Sequence, residues 1–461
     1  MATKSPSSSV QETRKAIVEN LWMHNRGWEE LAEEDPIVPV SGKGARIIDN
    51  EGKSWLDVNG GYMSVHAGYG QEEIADAAAE QMRKLHYFPQ GTASEPTAQL
   101  AAKLAEMTPG DLNRSFFTSG GSESNETSIK IARAFYQRAG HSGRYKVISR
   151  YDSYHGALGL TMWLGGSSQA STRADFEPAY PGMIYAPQPY PYRCEMGGQT
   201  DHECAERCAN QIQKLLEFHG PDTVAAVIAE PISVPAPVAV PGDEYWPRLR
   251  EICNQYGVIL IADEVITGFG RTGKMFAVDH WDVVPDIMSV AKGIVSSYLP
   301  IGASIARDDI ANAFAGGTDT RYFQHVLTFS GHPVAAAAAL KNIEIIEREN
   351  MVENARVLGT YFLEQLTGLK DKHEIIGNVT GLGLLLGIDL VKDRETKEKF
   401  EVSDGVSAAL TKLFEERGLI LRPSASAITL GPPLMIENGD VDEIVTGIDE
   451  SLTQVVADMG L

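Results

Sequence analysis

The 461-residue chain is expected to fold as an α/β protein on a largely parallel sheet. Apolar runs of strand length recur at residues 116–118, 147–148, 224–229, 258–262 and 287–291, and several are unbroken rather than alternating. Strands covered on both faces show that pattern. Helical stretches at 125–139, 204–218 and 245–256 lie between them, and such alternation marks a parallel sheet with helices packed on it. In these sheets ligands bind beyond the carboxyl ends of the strands. The unusual polar clusters fall at such ends: residues 119–122, Tyr154 with His155, Glu230, Asp263 and Lys292.

Taken in chain order, the start MATKSPSSSVQETRK has no apolar core of a secretory signal, and its first nine residues are expected to form a flexible tail. SFFTSGGSESNETSIKIAR, from residue 115, reads as strand, Gly-rich turn and helix, with Ile131, Ala132, Phe135 and Ala139 on one apolar face. Gly120 and Gly121 allow close backbone approach and Ser122 is the expected N-cap, so the helix start suits a phosphate. A plain Gly-Ser turn fits this segment equally well. Cys194, His202, Cys204 and Cys208 sit close in sequence, and Cys204 and Cys208 are spaced to share a helix face. Structural zinc sites carry two tightly spaced pairs, and only one such pair is present. No metal site is therefore expected, and reduced thiols in a cytoplasmic location are. The Pro-rich stretch 231–245 begins at a strand end and reads as an ordered loop near the site. Gly268, Gly270 and Gly273 spell GxGxxG and nearly a P-loop, but Met275 stands where Ser or Thr must reach magnesium, so nucleotide binding is not expected. An Ala-rich helix at 333–347 should lead into a smaller domain, with residues 381–390 as a strand bounded by tight turns.

Asp263 closes the apolar run in GVILIADEV and Lys292 follows the one in PDIMSVAKG. A lysine between Ala291 and Gly293 at a strand end is poorly placed for solvent and well placed to hold pyridoxal phosphate (PLP). A neighbouring strand-end carboxylate can keep a pyridine nitrogen protonated, and the pair is the least apparatus needed to use PLP as an electron sink. By themselves the two residues are equally compatible with an ordinary strand-end acid and a surface lysine.

SGGSE, YDSYHG, AEP, DEVITGFGRTGK, the AKG lysine and TFSGHP together resemble the class III aminotransferases, from about residue 40 to near the C-terminus. Among them the chain looks most like the pyruvate-using ω-aminotransferases. The resemblance implies PLP fold type I: a large domain with a mostly parallel seven-stranded sheet flanked by helices, and a smaller α+β domain from both chain ends. The expected division is 1–74 in the small domain, 75–332 in the large PLP-binding domain and 333–461 in the small domain. It implies Lys292 as the residue that holds PLP and moves the proton, Asp263 as partner of the ring nitrogen, Val265 and Tyr154 on the two ring faces, and Gly121 and Ser122 at the phosphate. Thr328 would reach the phosphate of the partner subunit, which makes a homodimer or tetramer with a shared site the expected assembly. Glu230 matches an acid near the cofactor. Where the family often reads Ser-Gly-Ser, this chain has Gly120, Gly121 and Ser122, which removes one hydroxyl.

Arg422 aligns with the mobile arginine of ω-aminotransferases, a guanidinium that binds a carboxylate or swings away; its position alone also suits a surface arginine. Glutamate-using relatives place an acid where this chain has Pro235, so pyruvate and alanine are the expected pair. Tyr62, Met63, Tyr87, Phe88 and Tyr154 are expected to line the amine pocket, with Met63 as an adaptable wall. The expected substrates are a small-molecule amine and an oxo acid. A PLP-dependent aminomutase or decarboxylase, a 2-oxoglutarate-using transaminase and a non-catalytic PLP-binding protein are the alternatives. A net charge of −22 makes nucleic acid and anionic membranes poor partners, and no stretch is long and apolar enough to span a bilayer.

Overall fold

A computed structural model describes residues 8–33, 36–89, 91–165, 173–316 and 322–461. After two helices, Ser8–Asn20 and Trp28–Glu33, come three short strands, β1 (Pro39–Lys43), β2 (Arg46–Asp49) and β3 (Ser54–Asp57). The central sheet follows: β4 (Leu112–Thr118), β5 (Lys146–Arg150), β6 (Met183–Ala186), β7 (Val224–Ala229), β8 (Ile259–Asp263), β9 (Ile287–Val290) and β10 (Gly302–Arg307). The C-terminal part adds β11 (Ile376–Leu382), β12 (Leu385–Asp393), β13 (Glu398–Lys399), β14 (Leu419–Ile420) and β15 (Ala427–Leu430).

The central sheet runs β4-β10-β9-β8-β7-β5-β6. Neighbours from β9 to β6 are parallel, and β10 is antiparallel to both β4 and β9. The seven-stranded, mostly parallel sheet expected from the sequence is therefore present. β7 and β8 are buried at every residue, which is why their sequences show no alternation. Two strands went unread in the sequence. β6 is short, and β10, GASIAR, lacks the β-branched run that marks a strand. β10 owes its conformation to its partners: a Cβ at Gly302 would lie 2.7 Å from Ser124 Oγ and 2.8 Å from Val290 O, so only glycine lets it close against β9.

The helix Gly121–Arg138 packs on this sheet through polar as well as apolar groups. Ser124 Oγ lies 2.7 Å from Thr118 Oγ1 and donates to Val290 O at 3.1 Å, and Ser128 Oγ contacts the hydroxyls of Ser289 and Ser304. The cap expected at Ser122 is instead Gly120, and Ser122 is the second residue of the helix. At the amino end a helix covers Ser8–Asn20, so the tail expected over the first nine residues does not include Ser8 and Ser9; residues 1–7 lie outside the described part.

Strands from the two chain ends share sheets. β1, β2 and β3 pair in sequence, and β14 joins β3 in parallel. β11 and β12 form an antiparallel hairpin, and β15 and β13 also pair with β12. The expected single strand at 381–390 is thus the turn and second arm of that hairpin. Its turn at Gly383 has φ +59° and lies against the helix Met351–Lys372, where a Cβ on Gly359 would sit 2.2 Å from Gly383 O. Among the described residues no helix is long and apolar enough to cross a membrane.

The close approach of Gly359 to the hairpin turn makes a testable pair. Gly359→Ala should destabilise the protein by about 1–3 kcal/mol through overpacking. Gly368→Ala, in the same helix but with open space around it, should be neutral or stabilising by up to ~1 kcal/mol. Thermal or urea unfolding of the two variants reads the difference.

Candidate active site

A cleft with about 610 Å³ of open space lies at the carboxyl ends of β4, β5, β7, β8 and β9. Gly121, Ser122, Tyr154, Glu230, Asp263, Val265 and Lys292 line it, together with His155, Gly156, Asn125, Ile232, Val234 and Pro235. Seven of the eight residues expected around the cofactor are thus brought to one cavity from five strand ends.

Asp263 is 4 % exposed. Its Oδ1 accepts from Val265 N at 3.1 Å, and its Oδ2 accepts from Asn125 Nδ2 at 2.7 Å and lies 2.7 Å from His155 Nδ1. A buried carboxylate is tolerable only when hydrogen-bonded in this way. His155 Nε2 lies 3.7 Å from Glu230 Oε2, and Glu230 in turn accepts from Arg150 Nη2 at 2.9 Å. Burial disfavours the charged form of His155, but the Glu230 and Asp263 carboxylates outweigh it and raise its pKa. Burial likewise opposes ionisation of Glu230, yet His155 and Arg150 hold its carboxyl below the usual range. Four groups, Arg150, Glu230, His155 and Asp263, therefore form one buried chain of alternating charge.

Glu230 also fixes the residue above it. Its Oε1 accepts from Tyr154 N at 3.0 Å, and the Tyr154 ring remains 42 % exposed over the cleft. Lys292, just past β9, has φ +47°. A non-glycine residue in the left-handed region carries backbone strain of about 1 kcal/mol or more, of the kind that persists where the surroundings dictate it. The next residue must be glycine, since a Cβ on Gly293 would lie 2.3 Å from His66 Cε1. Burial pushes the Lys292 amine down to about 8, against the opposing pull of Asp263 and with the help of Arg271. Among the described residues its amine is in no ion pair, so it is available to a ligand.

The far end of the cleft is a cradle that side chains would fill. A Cβ on Gly121 would meet Val265 Cγ1 at 2.7 Å, and one on Gly156 would meet Ser122 Oγ at 2.6 Å. Ser122 Oγ accepts from Ala157 N at 3.2 Å. This end combines the helix start at Gly121 with a serine hydroxyl, as an anionic phosphate requires. A cationic or neutral amine, a fixed carboxylate, an aromatic roof and an anion cradle are the parts that fit PLP.

A class III aminotransferase family model matches residues 31–452. The chain belongs to the class III aminotransferases. It is thus a PLP-dependent aminotransferase acting on an amine and an oxo acid, as the sequence led us to expect. The taurine–pyruvate aminotransferase of Bilophila wadsworthia is 38% identical over 94% of this chain and 96% of that protein. The putrescine–pyruvate aminotransferase of Pseudomonas aeruginosa is 36% identical over 94% and 97%. An (S)-enantioselective ω-transaminase from Thermomicrobium roseum superposes with a TM-score of 0.93 at 39% identity, covering 98% of this aminotransferase and all of that chain.

The remaining expected site residues fall outside the cleft lining. Arg422 Nη1 donates to Tyr62 Oη at 3.0 Å, with its guanidinium 5.7 Å from the ring. Met63 is buried against Gly431, where a Cβ would lie 2.5 Å from Met63 Cγ, so it packs beneath its neighbours. Tyr87 Oη donates to the Thr328 carbonyl at 2.9 Å and its ring meets Phe329 and His332. Phe88, Val326 and Phe329 around them are exposed. The roles of Asn125, His155 and Arg150 were not read from the sequence. The one available signal was their type: Arg150 and His155 are polar residues at the end of an apolar strand.

The depressed lysine gives a pH test. In cofactor-free enzyme, Lys292 is protonated below about 8 and loses its proton as pH rises through that value. Acylation of Lys292, followed by peptide mass mapping, should show a rate midpoint near 8. An ordinary surface lysine should show one near ~10.4.

Proposed function

We propose that this aminotransferase moves the amino group of a primary amine or ω-amino acid to pyruvate, giving alanine, by a ping-pong reaction at the cleft holding Lys292 and Asp263. The observation that carries the reading is the single cavity in which a half-buried, pKa-depressed lysine meets a carboxylate held by His155 and Asn125. When bound there, PLP supplies an electron sink for the pair of electrons left as the substrate C–H bond breaks. Lys292 would hold the cofactor, and its freed Nζ would carry the proton from the substrate carbon to the cofactor carbon. Asp263 would keep the proton on the ring nitrogen, and the chain through His155 to Glu230 and Arg150 holds that carboxylate in place. Tyr154 and Val265 would close the two ring faces against water, and Gly121 and Ser122 would receive the phosphate.

Pyruvate as acceptor rests on two supports. Pro235 lines the cleft where, by the family resemblance, glutamate-using enzymes carry an acid to neutralise Arg422. Arg422 itself leans on Tyr62 and is in no ion pair among the described residues, so it is free to take a small carboxylate. The two curated relatives are also pyruvate aminotransferases.

Thr328, Tyr87 and Phe88 support a homodimer. They do not line the cleft of their own chain, and they sit on a surface where Val326 is 85 % and Phe329 62 % exposed. A patch of this kind fits an interface that completes the neighbour's site. The pairing of β14 with β3 supports a small domain drawn from both chain ends, with residues 1–74 and 333–461 around a large domain of 75–332. Four cysteines without a disulfide support a cytoplasmic location.

Three measurements test the reading. The visible band of the bound cofactor should be lost at least ~10-fold faster with L-alanine than with L-glutamate; a faster reaction with glutamate overturns the pyruvate assignment, and turnover without any oxo acid overturns transamination. Arg422→Ala should lower kcat/KM for alanine by about 10–100-fold, the worth of a charged hydrogen bond of ~1.5–3 kcal/mol. The same change should leave an aryl-alkyl amine donor within severalfold. Lys292→Ala should cut turnover by at least about 10²–10⁴-fold.

A further inference from the structure

Cys194, Cys204 and Cys208 converge at a second place in the fold: their three sulfur atoms all lie within 4.8 Å of one another. The sequence offered only the one tightly spaced pair, Cys204 and Cys208, and the fold adds Cys194 to it. Cys204 and Cys208 are one turn apart on the buried face of the helix Asp201–His219. The third thiol arrives on a tightly tied turn. Gly197 N donates to Cys194 O at 3.0 Å, and Arg207 Nη1 holds Gly197 O at 2.7 Å. Gln199 N donates to Glu203 Oε2 at 2.9 Å. Gly198 makes the approach possible, because a Cβ there would stand 2.5 Å from Cys204 N.

From this geometry we propose that the three cysteines bind a thiophilic divalent cation of the zinc group through three thiolates. Gly198 N already donates to Cys194 Sγ at 3.3 Å, the kind of N–H···S contact that stabilises a thiolate ligand. Cys204 sits in the first turn of the helix Asp201–His219, where the dipole favours negative charge, and the Arg207 guanidinium lies on the tied turn. These groups offset the net negative charge of three thiolates around a divalent ion. Soft thiolate sets select zinc-like ions over magnesium or calcium. His202, the other ligand type in this stretch, takes no part: its Nδ1 lies 2.8 Å from Glu244. No fourth His, Cys, Asp or Glu joins the group among the described residues, so the fourth position is left to water on the side of half-buried Cys194.

Binding exchanges each ligating S–H proton for the metal, releasing up to three protons per ion to solvent, so affinity rises with pH. The site lies outside the cleft but connects to its wall. In the metal-free thiol form Cys208 Sγ donates to Gln188 O at 3.4 Å, a bond that a metal-bound thiolate gives up, while Gln188 Nε2 donates to Asp152 O and Ser233 Oγ, and Ser233 Oγ donates to Glu230 Oε1 at 3.4 Å. The ion therefore acts as a staple of the turn beside the cleft, without touching substrate.

The test uses chelator-washed, PLP-loaded enzyme under reductant, titrated with Cd²⁺ and read by the ultraviolet thiolate-to-cadmium charge-transfer band. The expected result is saturation at one equivalent per chain, reversal by Zn²⁺, and a rise in Tm on metal addition. Cys194→Ser should weaken binding at least ~100-fold while keeping its circular dichroism spectrum. Cys253→Ala, a buried cysteine outside the group, should bind as the parent does. Metal should also slow iodoacetamide alkylation of Cys194, which reads the site without a variant. The proposal is overturned by absence of a saturable band, by an unchanged band in Cys194→Ser, or by a disulfide among the three cysteines that forms in place of metal binding when reductant is removed.

Discussion

The cleft depends on one buried carboxylate being held in place. Asp263 ends a strand buried at every residue, and removing a carboxylate from water costs several kcal/mol unless its lone pairs are used. Val265, Asn125 and His155 use them. The imidazole needs support of its own, which comes from Glu230, and that acid is buried against Arg150. Because every member of the chain is the partner of the next, the loss of one leaves a charge stranded in a low-dielectric interior. The same Glu230 fixes the Tyr154 amide, so the positions of Tyr154 and Asp263 are set by one network.

Sheet topology decides what this network can meet. Parallel strands β5, β7, β8 and β9 all end on one side, and the crossed-in β10 lets β4 end there too. Five chain segments separated by long stretches of sequence thereby deliver an anion cradle, an aromatic roof, a carboxylate and a lysine to one cavity. The lysine reaches it at the expense of a left-handed backbone, which is sustainable because Gly293 lets the chain press on His66. Thr328 and Tyr87, by contrast, do not line the cleft of their own chain and sit beside exposed Val326 and Phe329.

Much of the architecture was legible because burial on both faces leaves a plain mark: β7 and β8 are unbroken apolar runs. β10 left no such mark, since its small residues are strand only by virtue of the strands on either side. Ser122 looked like a cap by residue type, yet the cap is Gly120, two residues earlier, and Gly121 lies close beneath Val265. Asn125 and Asp263 are 138 positions apart and Arg150 and Glu230 are 80 apart, and no local pattern announces such pairs. Met63, expected in the amine pocket from the family resemblance, is buried against Gly431.

The sequence by itself determined the strand–helix alternation, the positions of Lys292 and Asp263 at strand ends, the family and, with it, the cofactor. The first two are local matters of periodicity, residue type and spacing; the family and the cofactor came from the resemblance carried by the motifs. Only the tertiary structure decided that His155, Asn125, Glu230 and Arg150 support Asp263, that Arg422 rests on Tyr62, and that Cys194 joins Cys204 and Cys208. Those outcomes depend on side chains from distant segments meeting at a few ångströms, and hydrogen bonding and thiolate chemistry act only at that range.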